Sequence, residues 1–227
     1  MNRIPFSIYD FFGYLAAGFV LILSVDYAFQ GGWLLRDNLG TVLSLFWLLA
    51  AYVAGHLIAG ISSALLEQGL VRSILGSPEE TLFHDRSNSR WRHVFPAFFR
   101  PLPKETRHRV LQKAARLAAI EEPGRGLFFH CHPIVKRDQP TLDRLNTFLN
   151  QYGFCRNLSV ASFLAAIVLL VGVLWSWHIG QDNNAMRLYW AGIATVVGVG
   201  MLYRYLKFFR HYTLEVFMTY AELDLRT

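Results

Sequence analysis

Tyr52, His56, Gly60, Ser63 and Glu67 follow one another at spacings of four, four, three and four. That period sets a phenol, an imidazole, a hydroxyl and a carboxylate on one face of a helix. In an apolar segment such a stripe has the chemistry of a proton relay or a water-lined path. The same groups serve equally well as hydrogen-bonding contacts to a neighbouring helix, with Glu67 at an interface. A serine nucleophile paired with His56 is not supported on this helix, because Ser63 lies two turns away, roughly 10 Å along the axis. The second concentration of reactive types is His130-Cys131-His132, with His84, His93 and His108 available to complete a zinc site. Adjacent residues turn in different directions and the spacing of structural zinc sites is missing. A histidine pair around a buried cysteine explains the cluster as simply, and no metal or other cofactor is expected.

Arg125 and His130 enclose four residues, which resembles the arginine-four-histidine nuclease motif of HEPN ribonucleases. The flanking Gly124 and Gly126, and Gly-Leu-Phe-Phe between the pair, depart from that motif, which carries a polar residue after the arginine. A membrane-anchored enzyme, metal-dependent or nuclease-like, built on Arg125, His130, Cys131 and His132 is therefore the alternative reading. No P-loop glycine pattern, His-Glu-x-x-His or Gly-x-Ser-x-Gly occurs. A further set, Asp10, Glu67, Arg156, Asn157, Arg204, Arg210, His211 and Glu215, falls near the ends of apolar segments at one expected depth. These residues have the composition of an ion-pair network, either locking a helical bundle or exchanging partners in a gate.

The elements that carry these residues are dominated by four apolar runs, Phe11–Phe29, Thr41–Leu66, Leu158–Trp177 and Leu188–Tyr203. Each is near the ~20 residues needed to cross a bilayer. A composition of 53% hydrophobic and 17% charged residues is too apolar for an ordinary water-soluble domain. The first run is read as a span and not a cleaved signal peptide, since its flank holds only Arg3 and lacks a small-residue cleavage site. The segment from Glu67 to Asn157 contains fifteen Lys or Arg and nine Asp or Glu, against Arg36 alone in the first loop and Arg187 alone in the last. The positive-inside rule puts that segment in the cytoplasm of a bacterial inner-membrane protein, with both termini on the same side. Its basic excess suits anionic headgroups. The interleaved acids and absence of a recognised module give no strong nucleic-acid signal. Cys131 and Cys155 fall on the reducing side, so a disulfide is not expected.

The expected fold class is all-α, a four-helix transmembrane bundle with a cytoplasmic helical domain inserted between spans 2 and 3. Its parts are a hairpin over 1–66, the inserted domain over 67–157, a second hairpin over 158–206 and an amphipathic tail over 207–227. Small residues Gly13, Ala16, Ala17 and Gly18 in span 1, and Gly192, Ala194, Gly198 and Gly200 in span 4, predict close helix packing. Within the insertion, the helix of span 2 continues to about Leu75 before Gly76-Ser77-Pro78, residues 87–103 are irregular, and an amphipathic helix covers 104–120. Trp91, Phe95, Phe98 and Phe99 suit either a membrane surface or the core of a small domain. A short apolar stretch, Leu127–Val135, precedes a helix from Thr141 with a seam of Leu142, Leu145, Leu149 and Tyr152, running on into span 3. The tail seam of Leu206, Phe209, Thr213, Val216, Tyr220 and Leu223 needs a partner, either that helix or a second copy of the tail.

Ile8-Tyr9-Asp10-Phe11-Phe12-Gly13-Tyr14-Leu15, and Tyr52-Val53-Ala54-Gly55-His56 with the following Ser62-Ser63 and Glu67, resemble small uncharacterised four-span bacterial inner-membrane proteins. Some similar proteins belong to anti-phage defence systems, as oligomeric membrane partners of a soluble effector. The chain departs from them at Ala16-Ala17, where such openings often carry Pro-Gly. The resemblance implies a homo-oligomeric scaffold or channel-like effector in the lipid bilayer, with a soluble cytoplasmic protein partner.

Overall fold

The computed structural model describes residues 8–34, 40–84, 89–180 and 184–223, with the backbone alone at residues 8–10. Over these residues the chain is all α. It runs through α1 (Ile8–Phe29), α2 (Thr41–Ser62), a π-helix (Ser63–Leu75), α3 (Pro78–Thr81), a 3-10 turn (Arg90–Arg92), α4 (Lys104–Ala118), α5 (Arg125–Val135), α6 (Gln139–His178) and α7 (Ala185–Glu222). Among the described residues four helices are long and apolar enough to cross a membrane, within Phe11–Phe29, Thr41–Thr81, Gln139–His178 and Ala185–Glu222. The protein is thus a multi-span helical membrane protein with a helical insertion between its second and third spans. By contact the chain forms two compact units. Unit 1 is Met1–Glu67 with Gly153–Arg204, and unit 2 is Gln68–Tyr152 with Tyr205–Thr227. The tail and the insertion therefore belong to one compact unit.

In unit 1, α6 is the central span: half of its apolar window is buried, against 17% for those of the second and fourth spans. The α1–α2 pair is held by backbone approach. A Cβ on Gly18 would stand 1.7 Å from the Ala51 carbonyl oxygen, and one on Gly55 would stand 1.9 Å from that of Tyr14. Glycine is required at both positions, since in lipid the association rests on close packing. Gly172 of α6 meets Ala28 of α1 in the same way, with a Cβ 2.8 Å from the alanine methyl. Among the glycines of span 4 the expectation holds at Gly198, which lies against Phe163, while Gly192 and Gly200 have open space beside them. A small residue permits close approach without enforcing it. Ser159 Oγ donates to the Gly198 carbonyl at 2.9 Å, satisfying a buried hydroxyl across α6 and α7. Asp26, 1% exposed, accepts the amides of Trp33 at 2.8 Å and Leu34 at 3.0 Å, so its side chain organises the turn after α1.

In unit 2 the core comprises Leu82, Phe83, Leu102, Val110, Ala114, Leu127, Cys131, Val135, Leu145, Val216, Phe217 and Tyr220. Helix α4 presents Val110 and Ala114 to it and ends at Ala119, whose φ of 53° is left-handed and stops the helix just before the Glu-Glu-Pro-Gly turn. Leu127–Val135 is not a bare apolar stretch but most of α5, with Leu127, Cys131 and Val135 buried at i, i+4 and i+8. Helix α6 begins earlier than Thr141, because Asp138 accepts the Thr141 amide at 3.1 Å and the Thr141 hydroxyl at 2.6 Å in an N-cap. Its seam keeps Leu145 and Tyr152 but takes Thr141 and Phe148 in place of Leu142 and Leu149. Thr141 and Leu145 are buried whereas Leu149 is 48% exposed, and Phe148 faces His211 at 6.1 Å between ring centres. The tail seam finds its partner within the chain: Tyr152 packs on Tyr205 and Phe209 at 5.4 and 5.2 Å, and Val216 and Tyr220 are fully buried. Phe95, Phe98 and Phe99 are buried too, which gives them a packing role.

Candidate functional site

The polar stripe of span 2 divides into two environments. Toward its middle, His56 is exposed on the surface of the chain, with its ring stacked on Tyr14 at 4.2 Å and edge-on to Tyr52 at 4.6 Å. Gly60, one turn on, is exposed as well, and a Cβ there would meet nothing within 4 Å. Beyond Ser62 the α-helix widens into the π-helix. Gly76 N–H bonds the Val71 carbonyl at 2.7 Å, and the Ser73 hydroxyl bonds that of Gln68 at 2.8 Å, both five residues back. π-turns are rare and frequent at functional sites. The buried residues Leu66, Val71 and Leu75 follow the wider period.

The junction of α2 and the π-helix carries a continuous polar network with α6. Ser63 Oγ donates to Glu67 Oε2 at 3.3 Å, and Arg156 Nη1 is ion-paired with Glu67 Oε1. Arg156 Nε and Nη2 each donate to Asn157 Oδ1 at 3.2 Å, and the buried Ser62 hydroxyl reaches the same oxygen at 2.7 Å. Arg156 and Glu67 keep only 14% and 20% of their side-chain surface. Such a pair survives the loss of hydration only because its remaining hydrogen bonds are also made.

Of the wider boundary set, Glu67, Arg156 and Asn157 are joined within unit 1. Arg204 stands beside Cys155 in unit 1. In unit 2, Glu215 is instead paired with Arg144 at 2.6 Å, and Arg210 donates to the Arg100 carbonyl at 2.6 Å. The side chain of Asp10 lies outside the described residues, as does Arg36. The sequence places Arg204, Arg210 and Glu215 within three turns of one helix.

No family model matches the chain, and neither a curated protein nor a solved structure does. Its chemistry is therefore read from its own residues.

His130, Cys131 and His132 face three different ways on α5. Cys131 is fully buried in the unit 2 core, and burial pushes its thiol up to about 12 despite the opposing pull of Lys113. A thiol so protected is neither a nucleophile nor a ready metal ligand. His130 Nε2 meets the Tyr220 hydroxyl at 3.2 Å, and His132 Nε2 meets that of Tyr212 at 2.8 Å. The two histidines thus fasten α5 to α7. Among the described residues no three His, Cys, Asp or Glu side chains gather as a metal site. Arg125 lies over the Phe129 ring at 5.2 Å, away from the His130–Tyr220 bond. Five residues on a helix separate Arg125 and His130 by about 140° at 3.6 residues per turn. Lys113 caps the end of α7, donating to the carbonyls of Tyr220 and Leu223. A cation at a helix C-terminus also meets the favourable end of the helix dipole.

His132 gives unit 2 a pH dependence. Burial, reinforced by the charge of Lys136, lowers its pKa below the ordinary 6.5. The unfolded state then binds the proton more readily than the folded state. Stability is full above about pH 6.5 and declines as pH falls through the lowered folded value. The thermal midpoint of the detergent-solubilised protein should fall across that range, and His132→Gln should flatten the dependence. A profile unchanged by this substitution would remove His132 as its cause.

Proposed function

We propose that the chain is a homo-oligomeric scaffold or channel-like effector of the bacterial inner membrane, with unit 2 and both termini in the cytoplasm, where unit 2 receives a soluble protein partner. The observation that carries this reading is His56. It lies within an apolar span yet on the surface of the single chain. Ionisable residues in spans face a bundle interior or a water-filled cavity. A second copy against α2 supplies that interior, and the open space beside Gly60 admits its close approach. The fifteen basic residues from Glu67 to Asn157, against single ones in the other two loops, support the orientation. The resemblance of the α1 opening and the Tyr52–His56 stretch to defence-associated four-span proteins supports a role in anti-phage defence, with unit 2 as the receiver.

The mass of the detergent-solubilised complex tests this reading. Wild type should run as a discrete oligomer. Gly60→Leu and His56→Leu should shift it toward monomer at least tenfold without loss of helix, because neither residue touches the buried core. A wild type that is strictly monomeric, with no ion flux in vesicles, would dispose of both forms.

A further inference from the structure

Helices α1, α6 and α7 enclose a laterally open cavity of about 540 Å³ inside unit 1. Its walls are aliphatic and aromatic, including Val20, Leu23, Leu158, Ala165, Ala194 and Val197, with Ser24, Tyr27, Ser162 and Trp190 as the groups bearing polar atoms. The Ser24 hydroxyl is already spent on the Val20 carbonyl at 2.6 Å. Along α6 the lining extends from Leu158 to Leu169, roughly 17 Å at 1.5 Å per residue. The space is thus long, narrow and nearly free of hydrogen-bonding demand.

We infer that this slot is a binding site for one acyl chain of an anionic phospholipid. The medium around a span is lipid, and an apolar groove left empty there loses the dispersion contacts of its whole lining. A linear chain follows the length of the slot. A charge one turn of α7 from the lining residue Trp190 selects the lipid class. Arg187 precedes Trp190 by one turn of α7, is 5% exposed, and gives one of its N–H groups to Asn184 Oδ1 at 3.0 Å. A guanidinium has five donors, and a phosphate is the acceptor it fits best. Tyr27 and Trp190, with an apolar body and a polar tip each, suit the mouth where the chain meets its headgroup. The site depends on the membrane-spanning character of unit 1 and is independent of the oligomeric reading.

The experiment uses the full chain in vesicles of phosphatidylethanolamine and phosphatidylglycerol, followed by extensive detergent washing and mass spectrometry of retained lipid. Wild type should keep about one phosphatidylglycerol per chain. Ala194→Phe and Ala165→Phe, which fill the slot, should reduce retention at least fivefold, whereas Val196→Phe, on the 72% exposed side of α7, should leave it unchanged. Should a filled variant fail to fold by circular dichroism, a phosphatidylglycerol carrying a photoreactive acyl chain decides on wild type alone. Its adducts should concentrate on α1 at Val20–Tyr27 and on α7 at Trp190–Val197. Retention unaffected by slot filling, a wild type that keeps no lipid, adducts spread evenly over the exposed faces, or slot residues cross-linked to a second copy would each overturn the assignment.

Discussion

Replacing Gly55 with alanine should separate α1 from α2. The added methyl would lie 1.9 Å from the Tyr14 carbonyl oxygen and 2.5 Å from its carbon, and both are backbone atoms that no rotamer change can move aside. Overpacking costs about 1–3 kcal/mol where side chains can yield. An obstacle made of backbone puts Gly55→Ala at about 3 kcal/mol or above, and Gly18→Ala should match it because the Ala51 carbonyl stands at 1.7 Å. Gly192→Ala is the control, with open space around it, and the unfolding midpoint in a denaturing-detergent titration should be unaffected by it. Cysteines introduced across the α1–α2 contact would report the separation directly, through loss of cross-linking in the Gly55 and Gly18 variants. Equal stability of Gly55→Ala and wild type would show that the two helices do not meet at this distance.

That contrast also explains what the sequence disclosed and what it withheld. The four spans and the continuity of α6 and α7 follow from apolar length and from the absence of breakers, and the end of the π-helical segment at Leu75 from Gly76-Ser77-Pro78. These are one-dimensional signals. Which glycines lie at a contact is a property of pairs, so Gly18 and Gly55 are indistinguishable in composition from the unopposed Gly192 and Gly200. Helix α5 reads in the sequence only as a short apolar stretch, although Leu127, Cys131 and Val135 repeat at four, because the run between Gly124 and Pro133 is short. The widening after Ser62 had no such signal, because a π-helix and an α-helix draw on the same residues and differ in a hydrogen bond displaced by one. Pairing at the boundary was the least accessible. Glu67, Arg156, Arg204, Arg210 and Glu215 are all near apolar ends, and charge alone does not say that Glu67 takes Arg156 while Glu215 takes Arg144.

The same specificity makes Arg156 and Glu67 the strongest test of whether the junction locks the spans or gates them. Breaking a buried pair by removing one partner costs about 3–5 kcal/mol, since the remaining charge is stranded. The residual exposure of both side chains brings the expectation for Glu67→Leu or Arg156→Met to about 2 kcal/mol. Arg156→Met should be the costlier, because it also removes the two donors to Asn157 Oδ1 and leaves that amide with Ser62 alone among the contacts described above. The double variant should recover much of the loss, for it leaves no stranded charge, and the remainder measures the coupling of the pair. A lock and a gate part company in the second readout. If the network only fastens α6 to the π-helix junction, stability falls and ion flux in vesicles is unchanged in all three variants. A gate requires a second arrangement in which Glu67 and Arg156 exchange partners, so the single variants would raise flux and the double would not restore its control. The satisfied geometry at Ser62, Ser63, Asn157 and Arg156, in which every described polar side chain has a neighbour, predicts the first outcome.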